Sequence, residues 1–252
     1  MNYFAKYSNY YNLLHQNKDY RAEVEYVISL FREYSSIPVK SVLDIGCGTG
    51  VHDGFFNEAG LEIKGIDLSE SMISIAKEHY GELKNISFEE GDSKFFKLSQ
   101  KFDSVVSLFH VMSYNTKNED LLSTFKNVYS HLKEGGIFVF DFWYGPGVLQ
   151  DLPSAREKVM EDDKVHVLRK THSLTHFHEN IVDVNFNVRV TSKIGDSAYT
   201  IDELHKVRYL FYPELQHFLS EAGFKTTKLL KWMSKDEQPG NQDWYALVVA
   251  QK

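Results

Sequence analysis

Cysteine is nearly absent from this chain. Its 252 residues hold one, Cys47, so an internal disulfide is excluded. A chain without that staple is expected in a reducing compartment, and the cytoplasm is the default. Long apolar runs are also missing. Nowhere do about 18 apolar residues follow one another, as a membrane span requires. Met1 to Lys18 is polar and rich in tyrosine, without the apolar core of a secretory signal. Positive charge is in deficit: 28 Lys and Arg stand against 35 Asp and Glu, a net charge of −7. Broad nucleic-acid binding needs basic residues to neutralise phosphates, and this balance argues against it. Internal repeats, low-complexity stretches and a linker long enough to separate two domains are absent too.

What remains is ordinary globular composition, 42 % hydrophobic and 25 % charged, which excludes wholesale disorder. The length suits one α/β domain with an insertion. Three patterns follow one another. From Asp19, a suitable N-cap, the apolar residues Tyr20, Val24, Val27, Ile28 and Phe31 recur at helical spacing. From about residue 38 to 143, short apolar strands alternate with amphipathic helices. The strands are Ser41–Ile45, Glu62–Asp67, Ile86–Glu89, Phe102–Phe109 and Ile137–Phe142. The helices are Val51–Ala59, one capped by Ser69, and one carrying Leu121, Phe125, Val128 and Leu132 that stops at Gly135-Gly136. Such alternation predicts a parallel sheet covered on both faces. Then the period changes. Val182, Val184, Phe186, Val188 and Val190 alternate with polar residues, the mark of a half-buried antiparallel strand. Lys164–His172 and Ala198–Tyr209 are its expected partners, giving a meander of about three strands. A helix from Pro213 to Gly223 and the strands Phe224–Trp232 and Trp244–Gln251 complete the pattern.

The segment Asp44-Ile45-Gly46-Cys47-Gly48-Thr49-Gly50 follows a strand and opens a helix, the context in which glycines let backbone approach a ligand. Asp67 ends the next strand, where a carboxylate can accept both hydroxyls of a ribose. A nucleoside-type ligand is therefore expected at the carboxyl ends of the strands. No Gly-Lys-Ser/Thr follows, which excludes a P-loop, and the glycine spacing is not that of the dinucleotide fingerprint.

The sequence resembles the class I S-adenosylmethionine-dependent methyltransferases, through five motifs in order over residues 40–140. Asp44 to Gly50 is similar to their glycine motif. Ile66-Asp67-Leu68-Ser69 with Met72 is similar to the ribose motif, and Glu90-Gly91-Asp92-Ser93 to the segment that reads the adenine edge. Phe102-Asp103-Ser104-Val105-Val106-Ser107 matches the fourth strand, and Leu132-Lys133-Glu134-Gly135-Gly136 the turn before the fifth. The resemblance implies an α/β fold with a Rossmann-like, seven-stranded, mostly parallel sheet. It adds an N-terminal helical cap and an antiparallel β insertion before the last helix. Within one domain, 1–252, the cap is expected at 1–36, the cofactor core at 37–148, the insertion at 149–210 and the end of the sheet at 211–252. It implies S-adenosylmethionine as cofactor and S-adenosylhomocysteine as product. The expected cofactor residues are Tyr11, Tyr20, Asp44, Gly46, Cys47, Gly48, Gly50, Asp67, Leu68, Met72, Asp92, Ser93 and Phe109. Asp44 either meets the methionine amino group or holds the loop. Cys47 is read as a small buried loop residue, not a nucleophile.

The flanks narrow the resemblance. Tyr10-Tyr11-Asn12-Leu13-Leu14 and Lys18-Asp19-Tyr20 are similar to a cap over the cofactor. His205 to Phe211 leads out of the insertion. This layout resembles the methyltransferases of nucleotide-linked 3-amino-deoxysugars, in which the insertion builds the substrate pocket and often a dimer contact. It implies a small-molecule acceptor and a homodimer. There is one departure: where those enzymes carry a proposed catalytic histidine, this chain has Tyr114, with His110 four residues earlier. His110 either acts as a general base or packs against the adenine. Tyr114 either orients the acceptor or ends a strand as a packed aromatic. Trp143 and Tyr144 are candidates for the pocket wall, and Arg208 for a substrate phosphate or a structural ion pair. O-methylation of another surface-polysaccharide precursor is the alternative within the class. A non-catalytic cofactor-binding module is the alternative outside it. Phe109-His110-Val111-Met112 lacks the Asn/Asp-Pro-Pro-aromatic signature for planar amines, which argues against DNA adenine or glutamine as acceptor. No basic tail or aromatic-basic stripe suggests RNA. His172, His176 and His178 read as a solvated hairpin, and no metal is expected.

Overall fold

The computed structural model describes residues 8–252, except the side chain of Asn9. The first seven residues of the expected cap lie outside the described residues. In chain order the helices are α1 (Ser8–Leu14), α2 (Tyr20–Tyr34), α3 (Val51–Glu58), α4 (Glu70–Tyr80), α5 (Asn118–His131), α6 (Gly145–Gln150) and α7 (Tyr212–Ala222). The strands are β1 (Ser41–Ile45), β2 (Glu62–Asp67), β3 (Ile86–Glu90), β4 (Phe102–Ser107), β5 (Leu132–Trp143), β6 (Arg156–Glu161), β7 (Val165–His176), β8 (Ile181–Ser192), β9 (Ala198–Arg208), β10 (Thr226–Lys231) and β11 (Tyr245–Gln251).

Seven strands form the main sheet in the order β3-β2-β1-β4-β5-β11-β10. β1 to β5 pair in parallel, and β11 runs against both β5 and β10. Every residue of β1 and β4 is buried, which explains their continuous apolar character. Leu43, Ile45, Phe138 and Phe140 pack toward α5 and α7 on one face. Val42, Val106 and Val139 pack toward α2, α3 and α4 on the other. Strand order reverses at β1, between β2 and β4, so a crevice opens beyond the carboxyl ends of these strands. Among the described residues no helix is long and apolar enough to cross a membrane.

Local chemistry sets the helix starts. Asp19 Oδ1 accepts from the N–H of Ala22 at 3.0 Å, and Ser69 Oγ from that of Met72 at 3.4 Å. Gly135-Gly136 does not separate helix from strand as expected. α5 ends at His131 and β5 starts at once, with a register shift against β4 between Phe102 and Ser104. β4 stops at Ser107, and the chain then turns sharply through Phe109 and His110.

The insertion is a second sheet of four antiparallel strands, β6-β7-β8-β9, rather than three. The extra strand, Arg156–Glu161, is an edge with one buried residue, Met160, so it carries no alternating signal. The alternation of β8 turns Val182, Val184, Val188 and Val190 inward. Leu14 of α1 packs on that face with Val167, Val188 and Ile201. β7 ends at His176, which lies 3.2 Å from Asp183, and His178 falls in the following turn.

One carboxylate ties the amino end of the sheet together. Asp103 Oδ2 accepts from the N–H of Lys40, the N–H of Ser41 and the Ser41 hydroxyl, at 2.8–2.9 Å. Lys133 Nζ lies 2.8 Å from its Oδ1. Burial pushes this carboxyl up, but these donors outweigh it and hold the group below its ordinary range. Asp103→Asn is expected to cost about 1–3 kcal/mol in urea unfolding at neutral pH. A depressed pKa gives stability above the ordinary carboxylate range that is lost on acidification. The difference between wild type and variant should therefore shrink below about pH 4.

Candidate active site

The crevice is a cleft of about 560 Å³, within the range of small-molecule pockets. Its core side begins at the glycine loop. Gly46 has φ +77°, and a Cβ there would stand 2.5 Å from the Val111 side chain. Gly48 has φ +55° and a Cβ would meet nothing within 4 Å, so protein packing does not explain the glycine. The loop exposes backbone to the cleft at this point. Asp67 Oδ2 accepts from the N–H of Gly48 at 2.9 Å, and Oδ1 from that of Ser69 at 2.8 Å. Burial raises its pKa, and the two N–H groups partly offset this. Leu68, 55 % exposed, and Met72 flank the acid. Asp92 and Ser93 line the next part of the cleft. Lys94 lies 3.5 Å from Asp92, and Ser93 bonds Thr124 at 3.2 Å.

The cap closes the same cleft. Thr49 donates to Asn12 of α1 at 2.6 Å. Tyr11 and His15 pack their rings against Phe109. Lys18 pairs with Glu23 and sits 4.7 Å from the ring centroids of Tyr20 and Phe109. Glu23 also holds His52 at 2.8 Å. Burial first, then the cations Arg169, Lys158 and Lys18, push His15 down to about 3, so it is a neutral ring.

Phe109 and His110 have φ of 68° and 65°, left-handed conformations costly for residues with side chains. Their neighbours hold them there. The His110 N–H donates to Asp141 Oδ1 at 3.0 Å, and its Nδ1 lies 2.6 Å from Asp141 Oδ2. The His110 ring stacks on Tyr245 with centroids 4.2 Å apart. Burial would raise the Asp141 carboxyl, but the His110 ring and N–H hold it below its ordinary value. This leaves Nε2 as the ring nitrogen that Asp141 does not engage.

The far wall comes from the insertion. Arg169, Val184, Phe186, His205 and Val207 line the cleft, together with Tyr114 and Trp143. The Tyr114 hydroxyl is 2.9 Å from His205 Nδ1, and His205 Nε2 is 3.0 Å from Glu203. The Arg169 guanidinium lies 5.0 Å from the Phe186 ring centroid.

Fourteen of the eighteen expected site residues line this cleft: Tyr11, Tyr20, Gly46, Cys47, Gly48, Asp67, Leu68, Met72, Asp92, Ser93, Phe109, His110, Tyr114 and Trp143. Four do not. Gly50 caps α3 with its Cα under the Phe88 ring. Tyr144 packs beside Phe142. Arg208 is buried and lies 3.5 Å from Glu214, so it serves the structural alternative. Asp44 is 1 % exposed and faces Asp53, not the cleft. Sequence reading missed Asp141, His15, Arg169, Phe186, His205 and Tyr245. Burial, with the nearby acids Asp53, Asp67 and Asp44, pushes the Cys47 thiol up, which leaves it a poor nucleophile.

Residues 42–136 match a family model described as a methyltransferase domain. The chain is 27 % identical over 229 residues to a dTDP-3-amino-3,4,6-trideoxy-alpha-D-glucopyranose N,N-dimethyltransferase of Streptomyces venezuelae. That match covers 90 % of this chain and 93 % of the relative. This chain carries a methyltransferase domain and is an S-adenosylmethionine-dependent methyltransferase. The crystal structure of Streptomyces venezuelae DesVI superposes on the methyltransferase with TM-score 0.82 and 25 % identity, over 98 % of both chains. An S-adenosylmethionine-dependent methyltransferase from Clostridium acetobutylicum shares the fold, with TM-score 0.81, 20 % identity and 98 % of both chains covered. S-Adenosylmethionine is the cofactor of the methyltransferase, and the residues present fit it. Gly48 offers close backbone approach, the half-buried Asp67 offers an acceptor, and the cleft has a suitable size.

Asp44 and Asp53 create a test of the loop's foundation. Both carboxyls are buried, and burial raises both. The charges of Asp53 and Asp67 push Asp44 further up. Asp53, raised by burial and by Asp67 and partly lowered by its bond to Asp44, stands at about 7. A raised carboxyl gives stability that is present below its ordinary range and lost as the pH rises toward 7. Asp53→Asn is therefore expected to raise the melting temperature, more at about pH 8 than at about pH 5. A larger gain at the lower pH would contradict the raised Asp53 carboxyl.

Proposed function

We propose that this methyltransferase acts on a small polar metabolite, the amino group of a nucleotide-linked amino sugar. The observation that carries the reading is the His110–Asp141 pair, set where the glycine-loop side of the cleft meets the antiparallel wall. The relative from Streptomyces venezuelae supports it, because the match spans the insertion as well as the core. A cleft with a nucleoside end and a separate wall suits two ligands in line.

Bound S-adenosylmethionine supplies a methyl group already activated on a sulfonium. The chain must orient an acceptor lone pair and exclude water. Gly46, Cys47, Gly48, Asp67, Leu68, Met72, Asp92 and Ser93 hold the cofactor in this reading, with Asp67 accepting from the ribose hydroxyls. Tyr11, Tyr20 and Phe109 cover it from the cap side. The acceptor amine must be neutral to attack, and each transfer leaves it with a proton to lose. His110 takes that proton through Nε2, while Asp141 fixes the tautomer and supports the imidazolium. Trp143 and Phe186 wall the acceptor side, and Arg169 brings the fixed positive charge that a diphosphate calls for. A hydroxyl acceptor is the second reading. The same pair favours it, since a hydroxyl gains more than an amine from losing its proton.

The direct test uses methyl-labelled S-adenosylmethionine with thymidine-diphosphate-linked 3-amino-3,4,6-trideoxyglucose and its 3-hydroxy counterpart. Label in the amino sugar supports the proposal. Label in the hydroxy sugar alone supports the second reading, and label in neither overturns both. Asp67→Ala should weaken cofactor binding in calorimetry by about 10- to 100-fold, the loss of hydrogen bonds to a charged acceptor. His110→Asn should lower kcat on the order of 100-fold while cofactor affinity holds. A parallel loss of affinity would instead place His110 against the adenine.

A further inference from the structure

The insertion contributes more than a wall. Glu203, His205 and Val207 alternate along β9, so they share the inward face of the sheet. That spacing puts the Glu203 carboxylate 3.0 Å from His205 Nε2 on the same strand. His205 is 1 % exposed, and the Phe186 ring from β8 packs 4.8 Å from it. Its other ring nitrogen, Nδ1, is 2.9 Å from the hydroxyl of Tyr114, which stands on the short turn Val111–Tyr114 of the core. Arg169 of β7 lies over the same Phe186 ring and lines the cleft. Three polar groups from two parts of the fold are thus in line, ending in the cleft.

The direction of these bonds follows from their chemistry. An ionised carboxylate only accepts, so Glu203 calls for a proton on His205 Nε2. In a neutral imidazole the other nitrogen is then bare and accepts. The Tyr114 O–H therefore donates to His205 Nδ1. A hydroxyl whose proton is committed this way turns oxygen lone pairs, and no proton, toward a second partner.

We propose that Glu203 and His205 are positioning residues that fix Tyr114 as a hydrogen-bond acceptor for the N–H of the incoming amine. The inference rests on the amine reading above and names its selective element. His110 and Tyr114 stand at the two ends of one turn and both line the cleft. Two acceptors match the two N–H bonds of a neutral primary amine and leave its lone pair for the methyl group. A protonated amine also donates, but its lone pair is gone. A carboxylate or ketone acceptor offers nothing to donate, and the oriented Tyr114 rejects it.

Two measurements test this on the full-length protein. The first is nitrogen NMR of histidine-labelled enzyme, with His205 assigned by the signals lost in His205→Asn. The expected result is a proton on Nε2 and a hydrogen-bonded Nδ1 whose shift moves toward the bare-nitrogen value in Tyr114→Phe. A proton on Nδ1 would overturn the proposal, because Tyr114 would then be the acceptor of that bond. The second is methyl transfer to the thymidine-diphosphate amino sugar. Tyr114→Phe should raise KM about three- to tenfold, the loss of one neutral hydrogen bond. Glu203→Gln should do the same only when Tyr114 is present, so the double variant should match Tyr114→Phe. Additive losses would overturn the coupling. If Glu203→Gln fails to fold, the wild-type tautomer and Tyr114→Phe decide the matter. If no label enters the amino sugar, the substrate reading fails, and the tautomer still tests the orientation of Tyr114.

Discussion

The interaction on which the site depends is the Asp67 carboxylate receiving two backbone N–H groups. One comes from Gly48 in the loop after β1, the other from Ser69 at the start of α4. These two connections leave adjacent strands at the point where strand order reverses. A carboxylate held between them fixes the loop, starts the helix and keeps an acceptor at the cleft. Burial pushes this carboxyl up and the two N–H groups offset it in part, so a desolvated acid stands at the cleft, a common feature of functional sites.

A second constraint acts at the end of β4. Two consecutive left-handed residues, Phe109 and His110, cost backbone energy on the order of 1–3 kcal/mol each. Asp141, from the neighbouring β5, anchors both the backbone and the ring of His110. The strained turn places the His110 ring at the cleft with Nδ1 beside Asp141. The antiparallel sheet completes the cleft from outside the core. Its strands pack Val167, Val188 and Ile201 against Leu14 of α1 and bring Arg169, Val184, Phe186, His205 and Val207 to the cleft. One wall thus does two jobs without any change of strand geometry.

Most of the core was legible because its signals are local. The glycine spacing, the acid at the end of β2, the Ser69 cap and the apolar strands are all read within a few residues. Where the reading failed, the deciding contact is distant. Asp141 is ordinary in sequence and gains its meaning only from His110, 31 residues away. Arg208 carried two readings, a substrate phosphate or a structural ion pair, and the ion pair is with Glu214, which the sequence pattern did not name. Asp44 carried two readings, the methionine amino group or the loop, and its carboxyl lies buried beside Asp53, nine residues on. His205 lay within a quoted motif. The alternation of β9 could have placed it with Glu203 on the inward face, but its partner Tyr114 lies 91 residues away. The edge strand β6 was missed because edges carry charge in place of pattern.

The central claim is that Asp67 holds the glycine loop and the ribose with one carboxylate. A crystal structure with S-adenosylhomocysteine tests it most directly. The account predicts both ribose hydroxyls within hydrogen-bond distance of Asp67, the adenine beside Leu68 and Asp92, and the Gly48 and Ser69 bonds retained. A ribose bound elsewhere, or an Asp67 carboxylate turned away from Gly48 in the complex, would contradict it.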